Sequence, residues 1–441
     1  MTLKMVPTAP DGRSATVNTT SRAPAPFRYP PTTLLLTDFL LLLRNFKYLY
    51  TIVWPLNTSN HRGELYLWSL GNLFTLFIHT IFIGLGLGGF LLIPLWIELP
   101  GGAWLLVAAA YFVVVWVMAW ILNQTREGAM IESLPKIPEV PGEKWMFING
   151  VMAGRWWVQG AIDEIQRRFG RPVEAIHNRT FGVILDLMQC LIQRDLGLTN
   201  GCVKETYKQI RTHLLQRNPA NPSQWRYNKV IVLAHSQGGL ITSLALDMLF
   251  ADLADEVLSR LEVYTFGNAA NHFNNPPNMY KPENGEAIRF PTIKHIEHYA
   301  NEFDFVSRFG VLAYHPGPSG AAIDSGEAAE FLEWNLGGGE QAQKGVRHET
   351  HMEDNQFAGK LFMRKGKGGH QFVMHYLDEM FKDGDGGELV FVPIEVKEET
   401  PQGGKADGPV VNTADEGRVK KTNLEETSRL WRYRGARTFD D

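Results

Sequence analysis

Two apolar blocks constrain this chain before anything else: LFTLFIHTIFIGLGLGGFLLIPLWI at 73–97 and AWLLVAAAYFVVVWVMAWIL at 103–122. His79 is the single ionisable side chain in the first, and the second has no charged residue. Each reaches the roughly 20 residues that cross about 30 Å of hydrocarbon at about 1.5 Å per residue. Only ELPGG, from Glu98 to Gly102, separates them. A connection so short must turn back, so the pair predicts a transmembrane helical hairpin with both outer ends on one side. Arg44, Lys47, Arg62, Arg126 and Lys136 flank those ends, whereas the turn carries Glu98 and no base. The positive-inside rule then predicts that the outer ends, and the domain after them, face the cytosol. Buried core helices, or a hairpin that enters one leaflet and returns, are the alternatives. Gly84, Gly86 and Gly89 match G-x-G-x-x-G, but inside an apolar block they lack the strand and the ribose-binding carboxylate of a dinucleotide site. Gly84 and Gly88 instead form a small-residue face that would admit the second helix through Ala108 to Ala110.

The flanks divide the rest. Residues 1–31, rich in Pro, Thr, Ser and Arg, predict a disordered arm. Arg13, Arg22 and Arg28 imitate a transit peptide, but the prolines oppose an amphipathic helix. LLLTDFLLLLRNFKYLYTIVW at 34–54 is apolar but broken by Asp38, Arg44 and Lys47, which predicts a helix lying on the membrane surface. The expected organisation is an arm at 1–31, a membrane-associated region at 32–143, a folded domain at 144–395 and a charged, disordered tail at 396–441, despite its WRYR patch.

Composition narrows function. A chain of 441 residues, 44% hydrophobic, can bury a sizeable core, and its formal charge of −4 supplies no field to gather nucleic acid. Cys190 and Cys202 lack metal-ligand spacing and demand no oxidising compartment. His348 and His351 do not keep the i, i+4 spacing of H-E-x-x-H, so neither a metal nor a cofactor is expected. They lie in a Gly-, Glu- and Asp-rich stretch around 316–360 that predicts a surface insertion over the site.

From Lys144 onward, strand and helix patterns alternate. KWMFING, PVEAIHN, KVIVLAH, LEVYTFGNAA and TIKHIEHYA predict strands, and WVQGAIDEIQRRFG, GVILDLMQCLIQRDLG and VKETYKQIRTHLLQ predict helices. The alternation predicts an α/β fold, a mostly parallel sheet with helices on both faces.

A-H-S-Q-G at 234–238 fits the G-x-S-x-G elbow with Ala in the first place, between the strand KVIVLAH and the helical spacing of LITSLALDMLF. Small residues are needed there because the sharp turn brings neighbouring chains close. Ser236 as a simple helix N-cap is the plainer alternative. A nucleophilic Ser236 requires a base oriented by a carboxylate, in the order Ser, acid, His. Asp304 follows a strand, with Glu302 and Glu297 as rivals, and His370 sits in the Gly-rich turn of GKLFMRKGKGGHQFVMHYL. His375, within a helix, and His235, whose side chain diverges from the serine, need no role. Oxyanion donors are expected at the N–H of Gln237 and, in FINGV, of Val151, with Gly150 close behind; an ordinary Asn-Gly turn is the alternative.

FINGV, AHSQGG, NEFDFVSRFG and GGHQFVMHYL together resemble the α/β-hydrolase superfamily, most closely the membrane-associated, lipase-like serine esterases found in fungi. The resemblance spans about residues 144–395, departs from the usual elbow only in Ala234, and implies an α/β-hydrolase fold behind the hairpin. It also implies ester hydrolysis through an acyl-enzyme, with Ser236, Asp304 and His370 as the matching triad. The hairpin makes a lipid or other hydrophobic ester the expected substrate and a membrane the expected partner. A thioesterase or amidase, and a catalytically inactive membrane scaffold, are the competing expectations.

Overall fold

KVIVLAH becomes a central strand because its β-branched residues pack on both sides: Val230, Val232 and Ala234 enter one core layer, Ile231 and Leu233 the other. The computed structural model describes residues 28–56, 59–91, 94, 98–280, 288–315, 357–382, 389–393 and 419–439. Its strands are β1 (Ala129–Glu132), β2 (Glu143–Ile148), β3 (Val173–His177), β4 (Arg217–Asn218), β5 (Asn221–Trp225), β6 (Lys229–His235), β7 (Leu261–Phe266), β8 (Pro277–Tyr280), β9 (Ile288–Pro291), β10 (His295–Asn301), β11 (Lys360–Arg364), β12 (Leu389–Pro393) and β13 (Val419–Asn423). Nine of them form one sheet in the order β1-β3-β2-β6-β7-β10-β11-β12-β13, while β4 pairs with β5 and β8 with β9. From β3 to β11 every pairing is parallel, and the edge strands β1, β12 and β13 run antiparallel.

The longer helices are α1 (Pro31–Asn45), α2 (Leu70–Leu91), α3 (Gly101–Asn123), α4 (Arg155–Phe169), α5 (Val183–Leu196), α6 (Gly201–Leu215) and α7 (Gln237–Asp252). Ile210 and Leu214 of α6 and Leu240, Ile241 and Leu244 of α7 cover one face of the sheet. Val158, Ile162, Ile165 and Phe169 of α4, with Phe372 to Phe381, cover the other. The architecture is therefore α/β, with a layer of helices on each face.

Among the described residues, two helices are long and apolar enough to cross a membrane: Leu70–Gly89, of mean hydropathy 1.8, and Gly101–Asn123, of mean hydropathy 2.5. The expected close approach through Gly84 and Gly88 does not occur: a Cβ at either position would meet no neighbouring atom within 4 Å. Side chains meet instead, Ile78 and Phe82 of α2 against Val115, Met118, Ala119 and Leu122 of α3. Gly86 turns toward Ile184 of α5.

Three expected boundaries need correction. The sheet begins before residue 144, since β1 already pairs with β3. The segment 34–54 is not one helix lying apart from the domain: α1 ends at Asn45, a 3-10 helix continues over Phe46–Ile52, and Asp38 is buried against Arg194 at 2.6 and 2.8 Å. Arg194 also donates to the carbonyls of Ala269 and Phe309. An ion pair satisfied in this way tolerates removal from water.

The third correction is the tail. Within 396–441, β13 completes the sheet edge, and Leu430, Trp431 and Tyr433 are buried. Glu297 accepts from the backbone N–H groups of Arg429 (2.7 Å) and Leu430 (3.2 Å), and Glu262 accepts from the Arg429 guanidinium and the Tyr433 hydroxyl, both at 2.9 Å. The tail's composition suggests a solvated segment because its charge is visible in sequence, whereas the buried carboxylates that accept its hydrogen bonds lie more than a hundred residues away. The insertion over 316–356, with His348 and His351, lies outside the described residues.

Candidate active site

β6 ends in a backbone that few residues adopt: Ser236 has φ 57° and ψ −123°. The turn is pinned by its N–H to the Phe266 carbonyl (2.9 Å), and its own carbonyl accepts from Gly239 (3.0 Å) and Ala269 (3.2 Å). Small residues are required by space as well as by conformation. A Cβ at Gly238 would strike the Ile148 carbonyl oxygen, and one at Gly239 would strike the Asn268 side chain. A Cβ at Gly150 would lie 2.5 Å from the Ser236 Cβ. The loop after β2 is thus pressed against the serine, and Gln237 opens α7, where first-turn N–H groups lack helical acceptors.

Across the sheet ends, His370 Nε2 lies 2.9 Å from Ser236 Oγ, and His370 Nδ1 lies 2.9 Å from Asp304 Oδ2. The three residues expected to act together are brought into one hydrogen-bonded chain. Ser236 is 3% and His370 5% exposed, so little bulk water competes for these contacts. Asp304 accepts from the Val306 N–H (2.9 Å), the Ser307 hydroxyl (2.8 Å) and the Tyr376 hydroxyl (2.5 Å). Burial pushes its pKa up, but His370 and the bonds from His370, Tyr376 and Ser307 outweigh burial and hold it below the usual carboxylate value. A carboxylate so held stays ionised beside the imidazole.

The rivals lie elsewhere. Glu302 accepts from the Gly366 N–H at 2.6 Å, and Glu297 faces the tail. Burial, with the neighbouring His370, drives the His235 pKa down to about 3. His235 is therefore neutral, and its Nε2–H donates to the His370 carbonyl at 2.7 Å, fixing the loop that carries the base. His375 accepts from the Gln371 N–H (2.8 Å) and donates to the Pro55 carbonyl (2.6 Å), which ties the same loop to the N-terminal segment.

Several supporting residues have no local signal. Asn149 bonds the Asn178 backbone and the Gly150 carbonyl, Asn178 donates to the Gln237 side chain (2.7 Å), and Gln237 donates to Gln193 of α5 (2.8 Å). Asp186, also on α5, accepts from the Met152 N–H at 2.9 Å. Gly150, Val151 and Gln237 therefore sit within a network that orients both sides of the elbow.

Gly267, with φ +54°, packs under the imidazole–carboxylate pair, and a Cβ there would lie 2.9 Å from His370 Nδ1 and 3.0 Å from Asp304 Oδ2. Gly267→Ala is expected to lower kcat by about 100-fold by displacing the pair, with the circular dichroism spectrum unchanged. Wild-type kcat in a folded variant would show that the loop yields without consequence.

Glu64 accepts from the N–H groups of Val373 (2.9 Å) and Met374 (3.4 Å), capping the short helix after His370. Burial pushes its pKa up to about 7, against the lowering effect of those bonds. Its folded value exceeds the unfolded value of about 4.3, so its stabilising contribution is complete below that pH and lost as pH rises through about 7. Glu64→Gln keeps an acceptor and cannot ionise. Its thermal stability relative to wild type should improve by about 1–3 kcal/mol between about pH 4.5 and 7.5. Parallel stability profiles would reject this assignment.

Among the described residues, no group of three or more His, Cys, Asp or Glu side chains could hold a metal ion. A scan against models of protein families finds no match, and no curated protein matches. Among solved structures, Trichoderma reesei cutinase in complex with a C11Y4 phosphonate inhibitor is 14% identical over 54% of this chain and 74% of that one. Its TM-score of 0.21 is too low to transfer anything from that enzyme to this chain.

Proposed function

We propose that this chain is a membrane-anchored serine hydrolase of the α/β-hydrolase fold that cleaves a carboxylic ester of a lipid or another hydrophobic molecule. The observation that carries the reading is the chain from Ser236 Oγ through His370 to Asp304, with both contacts at 2.9 Å, at a strained strand-to-helix turn. His370 Nε2 takes the serine proton as Oγ attacks the ester carbonyl. Asp304 holds the imidazole and stabilises its cationic form. The N–H groups of Gln237 and Val151, with Gly150 as the neighbouring donor, receive the oxyanion. Collapse expels the alcohol, which takes its proton from His370 and leaves an acyl-serine. Water then gives its proton to His370, attacks the acyl carbon, and releases the acid and Ser236.

In this reading α2 and α3 cross the bilayer as a hairpin, and the bases flanking their outer ends support a hydrolase domain that faces the cytosol. The anchor supports a hydrophobic ester as substrate because it keeps the site beside acyl chains. Fluorophosphonate labelling of the detergent-extracted full-length protein is the test. Labelling present in wild type and absent in Ser236→Ala is expected. A folded wild-type protein that takes no label would replace the enzyme with a membrane scaffold, and ester, thioester and amide panels separate the chemistries of an active one.

A further inference from the structure

α5 is buried on one side and apolar on the other. Asp186, Gln193 and Arg194 point inward, whereas Leu187, Met188, Leu191, Ile192 and Leu196 are each 40–52% exposed. A stripe of five large apolar residues along a helix of Val183–Leu196 is unusual on a surface that meets only water.

Its depth says what covers it. α2 touches the domain near its start, where a Cβ at Gly71 would meet the Trp156 ring, and again where a Cβ at Gly86 would meet the Ile184 side chain. Those two positions are about 22 Å apart along the helix at about 1.5 Å per residue. A Cβ at Gly182 would meet Phe82, and Phe181 and Leu185 pack on the cluster formed by α2 and α3. If α2 crosses about 30 Å of hydrocarbon, the first turn of α5 lies well inside that layer. α1, which packs beside α5, exposes Leu35, Phe39, Leu42, Leu43 and Arg44, and the 3-10 helix that continues it exposes Phe46 and Lys47. α1 thus adds exposed apolar residues beside α5, with bases at its end of the kind that pair with lipid phosphates.

We propose that the outer face of α5 is a lipid-contact surface, immersed in the bilayer with α1, so that the hydrolase domain is partly embedded rather than merely tethered. The inference rests on reading α2 and α3 as spanning helices. Its consequence is local: the helix that meets acyl chains is the one whose inner face holds Gln237 through Gln193 and Met152 through Asp186.

The test places one cysteine at Leu187, Leu191, Leu106 of α3 or Ala220 of the β4–β5 turn in the full-length chain, labels it with NBD, and reconstitutes it in phosphatidylcholine vesicles containing doxyl lipids. Cys190 and Cys202 are buried, so unsubstituted protein serves as the blank. Leu106 and Ala220 are exposed. Probes at Leu187 and Leu191 should lose fluorescence to a degree comparable with Leu106, while Ala220 stays bright. Quenching at Leu106 with Leu187 and Leu191 as bright as Ala220 would overturn the docking of α5 and leave the hairpin standing. Bright probes at all four positions would remove the spanning hairpin and this proposal together. Leu187→Lys combined with Leu191→Lys should raise KM for an ester presented in vesicles about tenfold or more, equivalent to about 1.4 kcal/mol or more, while leaving turnover of a soluble short-chain ester unchanged. Equal effects on both substrates would overturn the surface role.

Discussion

Ser236→Ala is expected to reduce kcat/KM toward a hydrophobic ester by on the order of 10^4- to 10^6-fold, His370→Ala to reduce it comparably, and the double variant to fall no further. On the proposed mechanism the attacking oxygen and its base, joined at 2.9 Å, work as one unit, and losing either already removes the acyl-enzyme route. On that mechanism any residual rate comes from binding and the proposed oxyanion donors, which both variants keep. Melting temperatures should stay within a few degrees of wild type, because a small side chain at Ser236 leaves the turn's backbone bonds to Phe266, Gly239 and Ala269 in place. Steady-state kinetics with melting curves on all three variants check this. Multiplicative losses would mean that the two residues act independently, and more than about 1% of wild-type activity in Ser236→Ala would place the nucleophile elsewhere.

Ending the chain after residue 418 is expected to yield no folded protein, although the segment removed lies far from Ser236 in sequence. Glu297 would lose two backbone donors and the Ser428 hydroxyl, and Glu262 would lose Arg429 and Tyr433. Stripping one partner from a buried charge costs about 3–5 kcal/mol. Removing buried aromatic side chains such as Trp431 and Tyr433 adds about 3–5 kcal/mol each. These losses together reach the whole stability of a typical domain, about 5–15 kcal/mol. The graded version is Arg429→Ala, which should fold but lose about 3–5 kcal/mol in denaturant titration. A truncated protein melting at the wild-type temperature would show that the tail only decorates the edge. The same contacts explain why Glu297, a candidate acid by its position in NEFD-flanking strand sequence, is occupied with stability instead.

The sequence by itself determined the elements whose signals are local. β-branched runs and helical spacing are properties of short segments, so β2, β6, β10, α4 and α7 follow from nearest-neighbour sterics and the side-chain period. The elbow is legible for the same reason: Ala234, Ser236, Gly238 and Gly239 meet their steric requirement within six residues. Asp304 and His370 were legible only as candidates following strands. Their distance from Ser236 depends on β10 and β11 lying parallel beside β7 and β6, which is a property of the sheet order. The tertiary structure alone decided what surrounds them. Tyr376 reaches Asp304, Thr51 accepts from the Phe305 N–H at 3.2 Å, Asp38 meets Arg194, and Glu297 meets the tail, across separations of 72 to 254 residues. Such pairs carry no mark in composition or periodicity, because a buried polar group is stabilised by whichever partner the fold delivers, and a single sequence states the group without its partner.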